Sequence, residues 1–248
     1  QAVTCTLISI KNKMLIKEQC ILGIEGTGHS ISVGIMDQGI VKGCVFINAG
    51  LPGSSVLLKS IDELLKTCQI DKEKLNGICV TLGPGSFTSM RISLAVAESI
   101  GLALNIPLYG TDVLTLMAAT VPFYEFSIKV IKNAYKGELY LAEFHIASGK
   151  VVQDSDLVLI KPELFFENLQ ENDLLLGDGV LKMQVDGYDL QSKNVCLDLS
   201  FGRQVSGIHV IEHFLEKEVA EPSIVPLEPI YIRLSEAEIN YGKQFGKS

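Results

Sequence analysis

Apolar positions in the first hundred residues follow the spacing of short strands and then that of helices. Three apolar runs separated by turn-forming residues predict strands of a meander, at 21–25, 31–35 and 40–47. Apolar residues then recur at helical spacing and predict a helix over about 54–68, capped by Ser54 or Ser55. A further strand is predicted at 75–82, followed by a tight turn and a helix at 87–104.

The same order of elements begins again after Pro122. The expected elements of this second half are strands at 126–131, 138–146 and 174–176 and a helix near 208–220. Repeated meanders followed by helices predict an α/β protein with a duplicated unit in two lobes, residues 21–122 and 123–248. The last helix is left open to pack on either lobe. Residues 1–20 are expected to form an N-terminal extension, either a short extra strand or poorly ordered.

Composition and charge narrow the range of functions. The 248 residues carry 21 Lys and Arg against 29 Asp and Glu, a net charge of −8, so the chain lacks the positive field that strong direct nucleic-acid binding requires. The six cysteines form no CxxC pair, which predicts free thiols in the reducing cytoplasm. No apolar run reaches the roughly 18 residues of a membrane span, so no membrane segment is expected.

The most informative stretch is residues 83–110, which read GPGSFTSMRISLAVAESIGLALNIPLYG. The two glycines allow the chain to reverse between strand and helix, Pro84 stiffens the turn, and Ser86 is placed to cap the helix. A helix start of this kind can bind an anion, but the loop lacks the lysine of a Walker loop and the spacing of GxGxxG. A tight turn into a packed helix is therefore the simpler interpretation.

This stretch closely resembles the signature of the TsaB (YeaZ-like) family, whose members read GPGSFTGLRIGLATAKGLA. Four further landmarks of that family occur in the family's order. They are Ile24-Glu25-Gly26-Thr27, Lys136 to Tyr140, Leu176 to Gly179, and Pro229 to Arg233. The resemblance thus covers residues 21–233, nearly the whole chain.

The resemblance implies a two-lobed fold of the acetate kinase, sugar kinase, heat-shock ATPase and actin (ASKHA) type. It implies a non-catalytic paralogue of TsaD that assists threonylcarbamoyl transfer to an adenosine of tRNA, without catalytic residues, cofactor, metal or strong direct tRNA binding of its own. The implied partners are a TsaD-like protein in a heterodimer, a TsaE-like ATPase in the larger assembly, and a second copy of the chain. A small-molecule kinase or hydrolase of the same fold is the alternative.

Two departures from the family pattern bear on that alternative. Glu25-Gly26-Thr27 stands where the family has Asp-Thr-Ser, and Asn133-Ala134-Tyr135 stands where it has Asp-Ala-Arg. Acids at the lobe entrances of active kinases of this fold organise metal and water around phosphates, and Asn133 supplies no charge. These departures favour a binding protein over an enzyme.

The segment from His209 to His213 spells HxxEH, a pattern that places two zinc ligands one helical turn apart in inverted zinc peptidases. Helical spacing nevertheless puts positions 209, 212, 213 and 216 on a solvated face opposite an apolar stripe. We interpret this segment as an amphipathic surface helix that holds no metal.

The candidate partner interface lies on the two helices of the first lobe. Its residues are Ser89, Ser93, Ala97 and Gly101 at four-residue spacing on the second helix, with Leu57, Ile61 and Leu65 on the first. We predict that this stripe of small side chains faces outward, toward a partner; the alternative is that it packs against the first helix of its own lobe. Arg91 is predicted to meet an acid, either within the chain or on the partner.

Overall fold

The computed structural model describes residues 19–28, 30–48, 53–134, 136–198, 204–216 and 227–232. Several sequence predictions lie outside these described residues. They are most of the extension at 1–20, Tyr135, the end of the last helix at 217–220, and Arg233.

The first sheet contains β1 (Cys20–Glu25), β2 (Ile31–Asp37), β3 (Ile40–Ile47), β4 (Leu75–Gly83) and β5 (Leu108–Asp112). Its strand order is β3-β2-β1-β4-β5. The first three strands pair antiparallel as the predicted meander, and β4 and β5 extend the sheet in parallel. Helix α1 (Gly53–Thr67) joins β3 to β4, and helix α2 (Phe87–Leu104) makes the crossover that the parallel pair β4 and β5 requires.

The second sheet contains β6 (Ile128–Asn133), β7 (Leu139–Ala147), β8 (Lys150–Gln153), β9 (Val158–Ile160), β10 (Leu174–Leu176) and β11 (Cys196–Leu197). Its order is β11-β10-β6-β7-β8, with β9 also paired to β7. The antiparallel strands β6, β7 and β8 repeat the meander of β1 to β3. The remaining helices are α3 (Val113–Ala119), α4 (Pro162–Glu167), α5 (Asp178–Val185) and α6 (Gly207–Glu216).

Buried side chains arrange these elements in five layers. Helices α1 and α2 cover one face of the first sheet and share a core with Leu22 of β1. Helices α3 and α6 lie between the two sheets, where Ile21 of the first sheet and Phe144 of the second belong to one core. Helices α4 and α5 cover the outer face of the second sheet around Phe165 and Met183. The chain therefore has the mixed α/β, ASKHA-type architecture in two lobes.

Helix α6 packs on the first sheet, although it follows the second sheet in the sequence. Its first residue, Gly207, lies directly over two glycines of the sheet. A Cβ at Gly23 would lie 1.9 Å from the Gly207 carbonyl oxygen, and one at Gly34 would lie 2.9 Å from the Gly207 carbonyl carbon. Only glycine permits this approach, which holds α6 against the sheet of the first lobe.

The strands and helices predicted from the sequence match the first lobe closely and the second lobe only in part. Helix α2 has the predicted bounds, and Ser86 caps it by accepting a hydrogen bond from the Ser89 amide at 3.4 Å. The predicted cap of α1 is wrong, because that helix already begins at Gly53. The strand expected at 126–131 begins at Ile128. Helices α3, α4 and α5 were not predicted, since each is too short to display a clear helical period.

Helix α2 is long and apolar enough to cross a membrane by length and composition, so the expectation that no stretch reaches this length is wrong. Leu94 and Ala97 nevertheless belong to the core of the first lobe, and core helices of soluble proteins pass the same test. Only 28% of the helix is buried within the molecule. Much of an apolar helix is therefore left at the surface.

Candidate functional site

Residues that the sequence singled out in separate stretches meet at the junction between the lobes. The turn after β1 lies against the loop that precedes α2, where the Ser86 amide donates a 2.7 Å hydrogen bond to the Thr27 carbonyl oxygen. A Cβ at Gly85 would lie 1.9 Å from that oxygen, so glycine is required there. Ser93 of α2 donates from Oγ to the Gly26 carbonyl at 3.4 Å. The glycine-rich motif therefore serves close packing of its own chain.

Three buried polar side chains meet at this junction. Glu25 ends β1, Thr27 lies in the turn after it, and Lys132 belongs to β6; their exposed fractions are 5%, 0% and 7%. The Glu25 Oε1 accepts hydrogen bonds from the Thr27 amide at 2.9 Å and the Thr27 hydroxyl at 2.6 Å. The Lys132 Nζ lies 3.5 Å from the Thr27 Oγ1. The hydroxyl thus lies between a buried carboxylate and a buried ammonium and contacts both. We call this group the interlobe triad.

On the second lobe, the end of β6 packs against the start of α5. The Asn133 amide donates a 3.0 Å hydrogen bond to Oδ1 of Asp178. Gly177 has a φ of 97°, and a Cβ there would lie 2.2 Å from the Ile131 carbonyl oxygen. The glycine turn expected from the sequence is therefore the entry to α5, and its acid is bonded to the backbone of β6.

The polar groups that the structure describes at this junction are hydrogen-bonded within the chain, so they are not free to contact a substrate. Glu25 and Asp178 both accept hydrogen bonds from their own chain. Thr27 is fully buried and donates its hydroxyl proton to Glu25, whereas a nucleophile needs an accessible oxygen. Among the described residues, no group of three or more His, Cys, Asp or Glu is placed to hold a metal ion.

The HxxEH segment lies on α6, between the two sheets. His213 is only 8% exposed, so its predicted place on a solvated face is wrong. The reason is that α6 is covered from both sides, by the first sheet and by the core shared with the second. His209 is partly exposed and accepts a 3.0 Å hydrogen bond at Nδ1 from the Ser206 amide. The two histidines thus have different surroundings.

Most of the predicted interface residues are buried inside the first lobe. The buried ones are Leu57, Ile61, Leu65, Ser93, Ala97 and Gly101. Ser89 is partly buried at the helix cap, and a Cβ at Gly101 would lie 2.9 Å from the Leu108 side chain of β5. The prediction that the small stripe faces outward is wrong, because α2 needs small side chains where it crosses the sheet closely.

The surface that α1 and α2 expose carries apolar side chains beside the charged ones of α1. Leu102 is 86% exposed and Leu58 is 58% exposed, and Ala95 and Ala103 are also exposed. A groove of about 540 Å³ lies between the two helices, and it is lined by both helices and by residues 70–75, with charged as well as apolar side chains. Large apolar side chains exposed beside a groove are candidates for an interaction site. We call these four residues and the groove the α1–α2 face; Arg91, the remaining predicted interface residue, is exposed at its edge.

Comparison with known proteins gives consistent matches. The family model described as TsaD, tRNA N6-adenosine threonylcarbamoyltransferase, matches residues 53–185, more than half of the chain. The tRNA threonylcarbamoyladenosine biosynthesis protein TsaB of Bacillus subtilis is 26% identical over 89% of this chain and 97% of its own length. TsaB of Escherichia coli is 25% identical over 61% of this chain and 66% of its own.

Solved structures show the same fold. A Pseudomonas aeruginosa protein described as similar to peptidase YEAZ superposes with a TM-score of 0.71 and 18% identity, over 87% of this chain and 100% of that one. YeaZ from Pseudomonas aeruginosa gives a TM-score of 0.66 and 16% identity, over 86% and 99%. At these identities the likeness establishes the fold.

Proposed function

Since the chain belongs to the TsaB (YeaZ-like) family, we propose that it acts in threonylcarbamoyladenosine formation on tRNA as a non-catalytic scaffold for a TsaD-like protein. The names of its relatives support the modification. The observation that carries the scaffold role is the α1–α2 face, where Leu102 is 86% exposed on an apolar helix. Leucines displayed in this way become favourable when a partner removes them from water.

The polar groups at the junction between the lobes support a role in which the partner carries out the chemistry. The matching family model is that of a transferase, but Glu25 and Asp178 of this chain are engaged internally. Glu25 accepts two hydrogen bonds from Thr27, and Asp178 accepts one from the backbone of β6. A phosphoryl or carbamoyl transfer site needs polar groups free to meet a substrate, and Thr27 is fully buried.

The proposed assembly is a cytoplasmic heterodimer that a TsaE-like ATPase joins. Because the chain carries a net charge of −8, the phosphates of the tRNA are contacted mainly by the partner. A second copy of the chain competes for the same α1–α2 face when the partner is absent, since an apolar face can pair with itself about a twofold axis.

The test replaces Leu102 with arginine and asks whether the TsaD-like protein of the same organism still co-purifies. Because Leu102 is exposed, we expect Leu102→Arg to fold, as judged by circular dichroism. A guanidinium in an apolar interface costs about 2 kcal/mol or more, roughly a 30-fold loss of affinity. Threonylcarbamoyladenosine in tRNA, measured by mass spectrometry in cells that depend on the variant, should fall with it.

The matched control is Val185→Arg on α5 of the second lobe, because Val185 has the same 86% exposure as Leu102. We expect it to keep both partner binding and tRNA modification. If Leu102→Arg binds the TsaD-like protein as tightly as the control does, the α1–α2 face is not the docking surface. If the unaltered chain fails to bind that protein, the scaffold role itself is refuted.

A further inference from the structure

One arginine at the edge of the α1–α2 face is held against a stacked pair of aromatic rings. The Arg91 guanidinium carbon lies 3.9 Å from the centre of the Phe87 ring and 5.7 Å from that of the Tyr231 ring. Its Nε donates a 2.9 Å hydrogen bond to the Tyr231 hydroxyl, and the two rings stack at 4.7 Å. Arg91 is exposed, yet its direction is fixed by cation–π contacts and a hydrogen bond.

Tyr231 belongs to the segment Leu227–Ile232, which hydrogen bonds fix to α2 and to β4. The Leu227 amide donates to Oε1 of Glu98 at 3.0 Å, about two helical turns beyond Arg91. The Ile230 amide donates to the carbonyl oxygen of Leu82 in β4 at 2.8 Å. The direction of the arginine is therefore set by a strap that is anchored to both α2 and β4.

Charged residues of α1 pair with one another, whereas Arg91 has no acidic partner among the described residues. Within α1, Lys59 pairs with Glu63 at 3.7 Å and Lys66 with Asp62 at 2.6 Å. In the part of the chain that the structure describes, no carboxylate lies within ion-pair distance of Arg91. The predicted acid within the chain is therefore replaced by aromatic contacts.

Arg91 also lies on the same side of α2 as the exposed apolar residues. Ala95 and Leu102 follow it at i+4 and i+11, positions that share one helical face, and all three are exposed. The guanidinium has five N–H donors, of which the Nε–H is used by Tyr231. Its two terminal amino groups remain available at the rim of an apolar docking surface.

We propose that Arg91 is an anchor for one carboxylate, an Asp or Glu side chain, on the TsaD-like partner. The inference rests on the proposed function and specifies the chemistry of the docking surface. A planar guanidinium binds a carboxylate through two parallel hydrogen bonds, and an arginine already held in place loses little freedom on binding. Phe87, Tyr231 and the strap are positioning residues for this contact.

The test measures the affinity of the purified chain for the purified TsaD-like protein by calorimetry at low and high salt. Arg91→Gln should bind about 10- to 100-fold more weakly and show a smaller salt dependence. Arg91→Lys should recover only part of this loss, since an ammonium lacks the two-pronged geometry. Tyr231→Phe keeps the ring stack but removes the bond to Nε, and a few-fold loss is expected.

The matched control is Lys193→Gln in the second lobe. Lys193 lies 4.9 Å from the centre of the Phe166 ring, so this change also removes one positive charge and one cation–π contact, far from α2 in the fold. We expect its affinity to equal that of the unaltered chain. Circular dichroism confirms that each variant is folded before its affinity is compared.

Charge reversal identifies the partner's carboxylate. Arg91→Glu should abolish binding, and arginine at one Asp or Glu of the partner should restore it. Wild-type affinity of Arg91→Gln, together with loss of binding in Leu102→Arg, would overturn the anchor and leave the scaffold role standing. Wild-type affinity in both variants would overturn both the anchor and the α1–α2 face as the docking surface. If no substitution in the partner restores Arg91→Glu, the assignment to a carboxylate is wrong.

Discussion

Removing one charge of the interlobe triad should be more damaging than removing both charges. In Lys132→Met, an uncharged side chain of similar length replaces a lysine that is 7% exposed. Glu25, which is 5% exposed, then keeps a buried carboxylate that no cation compensates. In Glu25→Gln combined with Lys132→Met, both charges are gone, and the amide oxygen of glutamine can still accept the two hydrogen bonds from Thr27.

The magnitudes follow from the burial of the pair. Removing one member of a direct buried ion pair typically costs about 3–5 kcal/mol, and Glu25 and Lys132 are linked indirectly, through the Thr27 hydroxyl. We expect about 3 kcal/mol for Lys132→Met, because the two short bonds from Thr27 still stabilise the carboxylate. An uncharged replacement of similar shape is often close to neutral, so the double variant should lose only about 1 kcal/mol. The double variant should therefore be about 2 kcal/mol more stable than Lys132→Met alone.

Urea unfolding followed by circular dichroism measures these differences directly, with Glu25→Gln alone completing the cycle. For a chain of this size, 3 kcal/mol corresponds to a fall in Tm of roughly 6–12 °C. If the two single losses simply add in the double variant, Glu25 and Lys132 do not compensate each other. The interlobe triad would then not stabilise the contact between the lobes.

Two further outcomes follow from burial in the first lobe. Ser93 is 2% exposed, so Ser93→Arg should yield unfolded or insoluble chain by circular dichroism and size exclusion; a folded variant that merely loses its partner would contradict this placement. Burial and the nearby Asp37 carboxylate raise the pKa of Cys20 to about 11, so little thiolate exists at pH 8 and Cys20 should be alkylated after the exposed Cys44 and Cys196. Peptide mass spectrometry over time decides this order, and early labelling of Cys20 would refute it.

The first lobe was predictable because its element boundaries are marked by local chemistry. Glycines and a proline separate β4 from α2, Ser86 supplies a cap, and Asn105 ends the helix in a left-handed conformation. These signals act within a few residues of the boundary that they set. In the second lobe α4 and α5 contain six and eight residues, so their periodicity is too brief to be distinguished from a loop.

The interlobe triad could not be predicted from the sequence for a different reason. Lys132 lies in a strand whose neighbours are buried on both faces, so no alternation of apolar and polar residues marks its direction. Its partner Thr27 is 105 residues away in the sequence. The available signal was Lys132 itself, which stands in the strand sequence IKVIKN, since a buried lysine needs a compensating group. The identity of that group depends on how the two lobes meet.

The docking surface shows why side-chain size alone cannot tell which face of a helix is exposed. Small residues occur where a helix approaches another backbone closely, whether that backbone belongs to the same chain or to a partner. At Ser93 the close neighbour is internal, since a Cβ at Gly26 would lie 2.0 Å from the Ser93 Oγ. Leu102 has the opposite character, because a large apolar side chain is left 86% exposed by its own chain. Arginine at these two positions of one helix therefore separates folding from binding: it should unfold the chain at Ser93 and block the partner at Leu102.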